Sequence, residues 1–131
     1  MPYRVLRAGA LEWEERPATE LTGPRRVADV TTAGELTQSR ARLWRLPPGS
    51  RGRRHKELAQ EEVFVVLSGT LTMLLEDPPQ RVDLEAGSVV CVSTGTAIQQ
   101  RNEGTEEAVV FVYGAPPVTG QSEYLEDVPK L

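Results

Sequence analysis

Three side chains between positions 55 and 62 could do chemistry together. His55 is the only histidine of the 131-residue sequence, and Glu57 and Glu62 follow it closely. One imidazole with two carboxylates can bind a divalent cation. Without a metal, a carboxylate beside His55 would orient the imidazole and keep it cationic, which suits general acid–base catalysis. We therefore predict His55 and Glu62 as catalytic residues, and His55, Glu57 and Glu62 as metal ligands.

These side chains belong to two patterns of spaced residues. The patterns consist of Gly49, His55, Glu57, Glu62 and Gly69, and then of Gly87, Ser93, Gly95, Ile98 and Asn102. The first resembles the first motif of the cupin superfamily, in which a second histidine stands at the position of Glu57. The second resembles the second cupin motif, in which a proline stands at Ser93 and a metal-binding histidine at Ile98. The chain is thus similar to small single-domain, type-2-like cupins with a degenerate second motif.

This resemblance implies the fold and the place of the site. Cupins are all-β proteins with a jelly-roll β-barrel, whose mouth opens on a pocket lined by both motifs. In metal-containing cupins, two histidines and the glutamate of the first motif and the histidine of the second bind the metal. Many cupins are dimers, so we expect a homodimer. Cupins include oxygenases, isomerases, decarboxylases and sugar-binding regulators, so the resemblance assigns no substrate.

The donor set of this chain is reduced relative to that pattern, because Ile98 cannot ligate a metal. One imidazole with two carboxylates is a weaker site for the later transition metals than three imidazoles with one carboxylate. A one-residue slip would bring in the amide oxygen of Gln99 as a weak ligand. We expect no tightly bound metal, with a divalent ion (Mn, Fe, Ni or Zn) as the alternative. Gln99, Tyr113 and Trp44 are predicted to line the pocket.

Three functions are compatible with these residues. The first is binding of a small organic molecule of unassigned identity beside a degenerate metal site. The second is a metal-dependent enzyme of the oxygenase or isomerase type that uses His55, Glu57 and Glu62. The third is a metal-free structural or regulatory barrel, whose interior would be filled by side chains such as Ile98, as in many small barrels.

Composition and charge limit the classes of partner that this protein is expected to bind. A formal charge of −4 argues against binding to nucleic acid. Arg51, Arg53 and Arg54 could meet an anionic ligand, although a solvated basic loop is the simpler interpretation. No apolar stretch is long enough to span a membrane and the first ten residues lack a secretory pattern, so we expect a cytoplasmic protein with no membrane contact. The one cysteine, Cys91, is expected to be buried and inert.

Short apolar runs between turn residues predict an all-β domain. The strands are expected at residues 3–6, 11–15, 25–30, 40–46, 63–67, 70–75, 81–84, 88–92, 97–101 and 108–113. Residues 63–67 and 70–75 are predicted to pair as a hairpin around Gly69. The expected organisation is an N-terminal arm of strands over residues 1–35, a barrel core over 36–117 and a tail over 118–131, the tail being extended or a single helical turn.

Overall fold

The computed structural model describes residues 2–128, which form two antiparallel β-sheets. Met1 and residues 129–131, which the sequence assigns to the arm and the tail, lie outside the described residues. The elements are a 3-10 turn (Ala8–Ala10), β1 (Glu14–Arg16), β2 (Arg25–Asp29), α1 (Val30–Ala33), β3 (Arg40–Leu46), β4 (His55–Glu57), β5 (Glu61–Ser68), β6 (Thr70–Leu75), β7 (Gln80–Glu85), β8 (Val89–Val92), β9 (Ala97–Arg101), β10 (Ala108–Ala115) and β11 (Ser122–Tyr124).

The two sheets have the connectivity of a jelly roll. One has the strand order β1-β2-β3-β10-β5-β8 and the other β11-β4-β9-β6-β7. Several strands that follow one another along the chain therefore lie in different sheets. The predicted all-β jelly-roll barrel is confirmed. No helix among residues 2–128 is long and apolar enough to cross a membrane.

The inward faces of the sheets change from apolar to charged along the barrel. Strand alternation directs every second side chain of β3, β5 and β10 inward. Three successive inward rows across these strands are Trp44–Val110–Val66, Arg42–Val112–Phe64 and Arg40–Gly114–Glu62. The apolar side chains of the first two rows belong to the hydrophobic core or pack against it, and the core also includes Leu46, Leu71, Met73, Leu84 and Ala108. The last row carries both a positive and a negative charge, so one end of the barrel is packed and the other is polar.

Most predicted strands are present. Those at 40–46, 70–75 and 97–101 have the predicted bounds, and those at 25–30, 63–67, 81–84, 88–92 and 108–113 differ by one or two residues at an end. Residues 3–6 form no strand, and 11–15 overlap only the start of β1. The three-residue strands β4 and β11 were not predicted, because runs this short carry no alternation signal.

The predicted hairpin around Gly69 is wrong. β5 pairs with β10 and β8, whereas β6 pairs with β7 and β9, so Gly69 joins the two sheets. Gly69 has φ +73°, and a Cβ atom there would lie 2.4 Å from the carbonyl oxygen of Glu107. The chain passes closely over the start of β10 at this point, which only glycine allows.

Asn102 ties the two motif regions together. Its buried side-chain amide donates to the carbonyls of Leu46 (2.8 Å) and Glu106 (2.7 Å). Its backbone N–H donates to the carbonyl of Ser50 (2.9 Å), and its own carbonyl accepts from Gly49 (2.8 Å). The last landmark of the second pattern thus fixes the loop at the start of the first.

Cys91 is exposed, not buried as predicted. β8 ends the six-stranded sheet and has only β5 as a neighbour among the described strands. Val92 is buried on the inner face, so the adjacent Cys91 points outward.

The division into segments 1–35, 36–117 and 118–131 stays a prediction, although β1, β2 and β11 from the outer segments join the sheets.

The close approach at Gly69 can be tested by comparing alanine substitutions at Gly69 and Gly87, which both have positive φ. Gly87 has φ +93°, and a Cβ atom added there would have no heavy atom within 4 Å, so Gly87→Ala meets backbone strain alone. We expect Gly87→Ala to lower the free energy of unfolding by about 1 kcal/mol. Gly69→Ala should cost at least about 1 kcal/mol more, because the carbonyl of Glu107 must move. Urea unfolding measures both, and equal losses would contradict the close approach.

Candidate functional site

His55, Glu57 and Glu62 converge from the two sheets. His55 and Glu57 are two residues apart on β4 and point to the same side, and Glu62 reaches them from β5. Each offers one ligand atom, and these atoms lie within 4.8 Å of one another. Nε2 of His55 is 3.1 Å from Oε1 of Glu57. The three residues predicted as metal ligands thus form one group that can hold a metal ion.

Backbone and tail contacts orient two members of this group. Nδ1 of His55 lies 2.8 Å from the carbonyl oxygen of Arg53, so it carries the proton and donates it. This leaves Nε2 facing Glu57 as the atom available for a ligand or a proton. Oγ of Ser122 lies 2.9 and 3.0 Å from the two oxygens of Glu57, and its hydroxyl donates to that carboxylate. The C-terminal tail therefore forms part of the site, which its own sequence does not indicate.

Glu62 is the most perturbed acid of the site. Only 4% of Glu62 is exposed. Burial, followed by the nearby charge of Glu57, raises the pKa of Glu62 to about 7, against the opposing effect of Arg42 and Arg40. Near neutral pH this carboxyl is therefore populated both with and without its proton. It can take up or release a proton without a large change in free energy.

Two arginines on β3 face this acid. A nitrogen of Arg42 lies 3.9 Å from Glu62, too far for a hydrogen bond, and burial lowers the pKa of Arg42 despite this pair. Arg40 and Glu62 are opposite each other across Gly114, and the side-chain amide of Gln60 lies where a side chain of residue 114 would begin. The site therefore places a weakly paired positive charge next to a buried acid.

Ile98 occupies the place at which the cupin pattern has a histidine. It is the cross-strand partner of His55, so it faces the same side. Gln99 points the other way, and its amide donates to Gly52 (3.0 Å) and Asp127 (2.6 Å) and accepts from Arg101 (3.0 Å). The suggested slip that would make Gln99 a ligand is therefore wrong, because β9 keeps its register.

The three acid–base residues lie at a cavity of about 370 Å³ between the sheets. The lining residues are Arg25, Arg40, Arg42, Trp44, Gly52, Arg53, His55, Glu57, Glu62, Phe64, Ile98, Gln100, Val112, Thr119, Gly120, Ser122 and Tyr124. Trp44 lines it as predicted. Gln99 and Tyr113 do not: Tyr113 is 40% exposed, because it alternates with the inward Val112 on β10.

Sequence reasoning missed most of the arginines at the cavity. The signal for two of them was present, since Arg40, Arg42 and Trp44 alternate along one face of a strand that was predicted correctly. The three arginines of the basic loop have different environments. Arg53 lines the cavity, whereas Arg51 binds Asp127 (2.8 Å) and buried Arg54 binds Asp77 (3.3 Å). The expectation of a solvated loop is therefore wrong for Arg54.

The donor set fits a divalent cation that accepts oxygen ligands. Two buried carboxylates lie side by side, and a cation between them would offset the repulsion that contributes to the raised pKa of Glu62. With no proton on it, Nε2 of His55 would add one nitrogen donor to such a cation. Ile98 offers none, so the site has fewer strong donors than the cupin pattern provides.

The sequence matches a family model described as "Cupin domain" over residues 42–114. No curated protein matches the chain significantly. Among solved structures, the chain is similar to a cupin-superfamily sugar phosphate isomerase from Silicibacter pomeroyi, with 21% identity, TM-score 0.73 and coverage of 86% of this chain and 75% of that one.

Two other solved structures have similar folds. A protein from Thermotoga maritima, described as a predicted oxalate decarboxylase, has 20% identity and TM-score 0.76, over 86% of this chain and 99% of that one. The polyketide cyclase RemF from Streptomyces resistomycificus has 13% identity and TM-score 0.80, over 94% of this chain and 85% of that one. At these identities the likeness shows the fold alone.

The raised pKa of Glu62 predicts a specific pH dependence of stability. Folding favours its protonated form, so this stabilisation is full below pH 4.5 and is lost as the pH rises through about 7. Glu62→Gln has no such group. Between pH 5 and pH 8, its free energy of unfolding should therefore rise relative to wild type by on the order of 2 kcal/mol. Urea unfolding in the presence of a chelator measures this difference.

The control for that measurement is Glu61→Gln, because Glu61 precedes Glu62 on the same strand but is exposed. Its difference from wild type should not vary with pH in this range. A flat difference for Glu62→Gln as well would contradict the perturbed acid.

Proposed function

This chain belongs to the cupin domain family, and we propose that it binds a small organic molecule in the cavity between its sheets, beside a reduced metal site. The observation that carries the proposal is the cavity itself, which is within the size range of small-molecule sites. Its lining combines apolar side chains with a few convergent polar groups, the usual composition of such sites. The names of the three similar structures, an isomerase, a predicted decarboxylase and a cyclase, support small-molecule chemistry.

In this function, His55, Glu57 and Glu62 are the polar end of the binding site. Ser122 holds Glu57, and the carbonyl of Arg53 holds the ring of His55, so Nε2 keeps a fixed direction. Glu62 can exchange a proton with a bound molecule near neutral pH. The catalytic roles of His55 and Glu62 stay predictions.

The second candidate is a metal-dependent enzyme of the oxygenase or isomerase type. The observation that favours it is the convergence of three potential ligand atoms within 4.8 Å. A divalent ion held there would supply Lewis-acid chemistry toward a substrate oxygen. His55, Glu57 and Glu62 would hold it, while Ser122 would keep Glu57 in position. The neighbouring Ile98 argues for weak retention of Mn, Fe, Ni or Zn.

A filled structural or regulatory barrel is less well supported. That function requires side chains such as Ile98 to fill the interior, but Ile98 instead forms part of the wall of an open cavity. A homodimer and a cytoplasmic location stay predictions from the sequence.

A ligand screen by NMR tests the first proposal. ¹⁵N-labelled protein is titrated with a panel of small organic acids, sugars, sugar phosphates and aromatic compounds. We expect at least one compound to shift saturably the amide signals of Trp44, Val112 and Ser122, whose residues line the cavity. Val112→Phe should reduce the affinity at least tenfold by filling the space.

The matched control is Val109→Phe, because Val109 lies on the same strand and faces outward. If Val112→Phe does not fold, as its own spectrum would show, Ile98→Phe replaces it. The proposal would be contradicted if no compound in the panel binds, or if neither Val112→Phe nor Ile98→Phe weakens the binding.

Metal content separates the two candidates. Protein purified without chelator or affinity metal, and then incubated with Mn²⁺, Fe²⁺, Ni²⁺ or Zn²⁺ and desalted, should retain well under one ion per chain by elemental analysis. The reason is the missing donor at Ile98. Near-stoichiometric metal that is lost in His55→Ala and Glu62→Ala but kept in Glu61→Ala would instead establish the metal-dependent candidate.

A further inference from the structure

Four arginines line the cavity, and we call them the arginine wall: Arg25, Arg40, Arg42 and Arg53. Among the described residues, the only acidic ones in the lining are Glu57 and Glu62. The sequence as a whole has a formal charge of −4, so this local excess of positive charge runs against the composition. A cavity lined in this way attracts anions, because low-dielectric walls strengthen the field of the charges.

The arginine wall has few carboxylate partners among the described residues. Within residues 2–128, Arg25, Arg40 and Arg53 have no carboxylate within 4.0 Å, and Arg42 has only Glu62, at 3.9 Å. The arginines of the neighbouring loop and of β9 differ, since Arg51 and Arg101 both approach Asp127. Within residues 2–128, the arginines that tie Asp127 to the barrel thus lie 2.8 and 3.6 Å from a carboxylate, whereas the cavity arginines have at most the 3.9 Å contact of Arg42.

Buried polar atoms without partners are concentrated at the same place. Among residues 2–128 they are Nε of Arg25, Arg42, Arg45 and Arg53, and Oε1 of Gln100. All except Arg45 belong to cavity-lining residues. Such atoms are costly when they have no partner. Each of these guanidinium groups also carries terminal N–H groups, and a bound oxyanion would accept from several of those at once.

Two of these guanidinium groups are held in place by aromatic rings. Arg25 lies over Trp44, 4.8 Å from the ring centroid, and Arg53 lies over Tyr124 at 5.0 Å. The cation–π contact uses the face of the guanidinium and leaves the N–H groups at its edge free. These edges can bind a carboxylate or phosphate with two parallel hydrogen bonds.

The other residues of the lining indicate which properties the uncharged part of the ligand should have. Phe64, Ile98 and Val112 add apolar side chains to the lining. The volume of about 370 Å³ limits the ligand to a small molecule.

We propose that the cavity binds an organic oxyanion, a carboxylate or phosphate on a partly apolar body, and that the arginine wall holds the oxyanion. This inference rests on the proposed function, because it names the class of molecule that the cavity takes. The wall selects by charge, and the apolar side chains bind the remainder of the molecule.

Isothermal titration calorimetry with four phenyl compounds tests this selection. Benzoate and phenyl phosphate carry the two oxyanions, while benzamide and benzyl alcohol are neutral compounds of similar shape. We expect at least one oxyanion to bind at least tenfold more tightly than both neutral compounds. The better oxyanion identifies carboxylate or phosphate as the preferred group.

Paired arginine variants locate the binding. Arg42→Gln should weaken the preferred oxyanion at least tenfold, whereas Arg45→Gln, on the outward face of the same strand, should change it less than twofold. Arg25→Gln and the exposed Arg26→Gln form a second pair on β2. Circular dichroism shows whether each variant folds. If Arg42→Gln does not fold, the comparison of Arg25→Gln with Arg26→Gln tests the inference instead.

Neutral compounds that bind as tightly as the oxyanions would overturn the inference and leave the proposed function intact. Oxyanion binding that all arginine variants retain, or no oxyanion binding at millimolar concentration, would also overturn it. The proposed function fails separately, in the NMR screen, if no compound of any charge occupies the cavity.

Discussion

The burial of Glu62 beside Glu57 is the constraint on which the arrangement of the site depends. Two carboxylates taken from water and placed together are unfavourable unless a proton, a cation or a positive side chain offsets them. The structure provides the first and the third: Glu62 has a pKa of about 7, and Arg42 lies 3.9 Å away. Ser122 donates a hydrogen bond to the carboxylate of Glu57, and Nε2 of His55 lies 3.1 Å from the same carboxylate. The barrel maintains this costly group because its other end is well packed.

Much of the fold follows from local patterns in the chain. The alternation in residues 40–46 and 97–101 predicted two strands with correct bounds, because strand side chains alternate between core and outer face. The motif spacing predicted the jelly roll and the meeting of His55, Glu57 and Glu62. That spacing carries three-dimensional information, because glycine and asparagine landmarks meet backbone requirements. Gly69 passes over Glu107 at close range, and Asn102 bonds to Leu46 and Glu106.

The remaining features depend on contacts between distant segments. β5 and β6 have the local signs of a hairpin, yet β5 pairs with the distant strands β8 and β10, and β6 pairs with the following strand β7 and with β9. β11 is three residues long and forms a strand only because β4 offers it an edge. Gln99 is polar and one residue from the motif position, but the register of β9 turns it toward Asp127. Cys91 sits in an apolar run at the edge of its sheet, on the outward face. No local rule indicates these outcomes.

The polar end of the cavity is built from separate parts of the chain. His55, Glu57 and Glu62 come from β4 and β5, whereas Arg25, Arg40 and Arg42 come from β2 and β3. Among residues 2–128, the one ion pair within 4.0 Å between the two sets joins Arg42 and Glu62. Substitutions in β2 or β3 can therefore change the charge presented to a ligand while the backbone that carries the acid–base group stays in place. Because Arg40 and Arg42 also lower the pKa of Glu62, a substitution at either arginine changes ligand selectivity and the acidity of the site in one step.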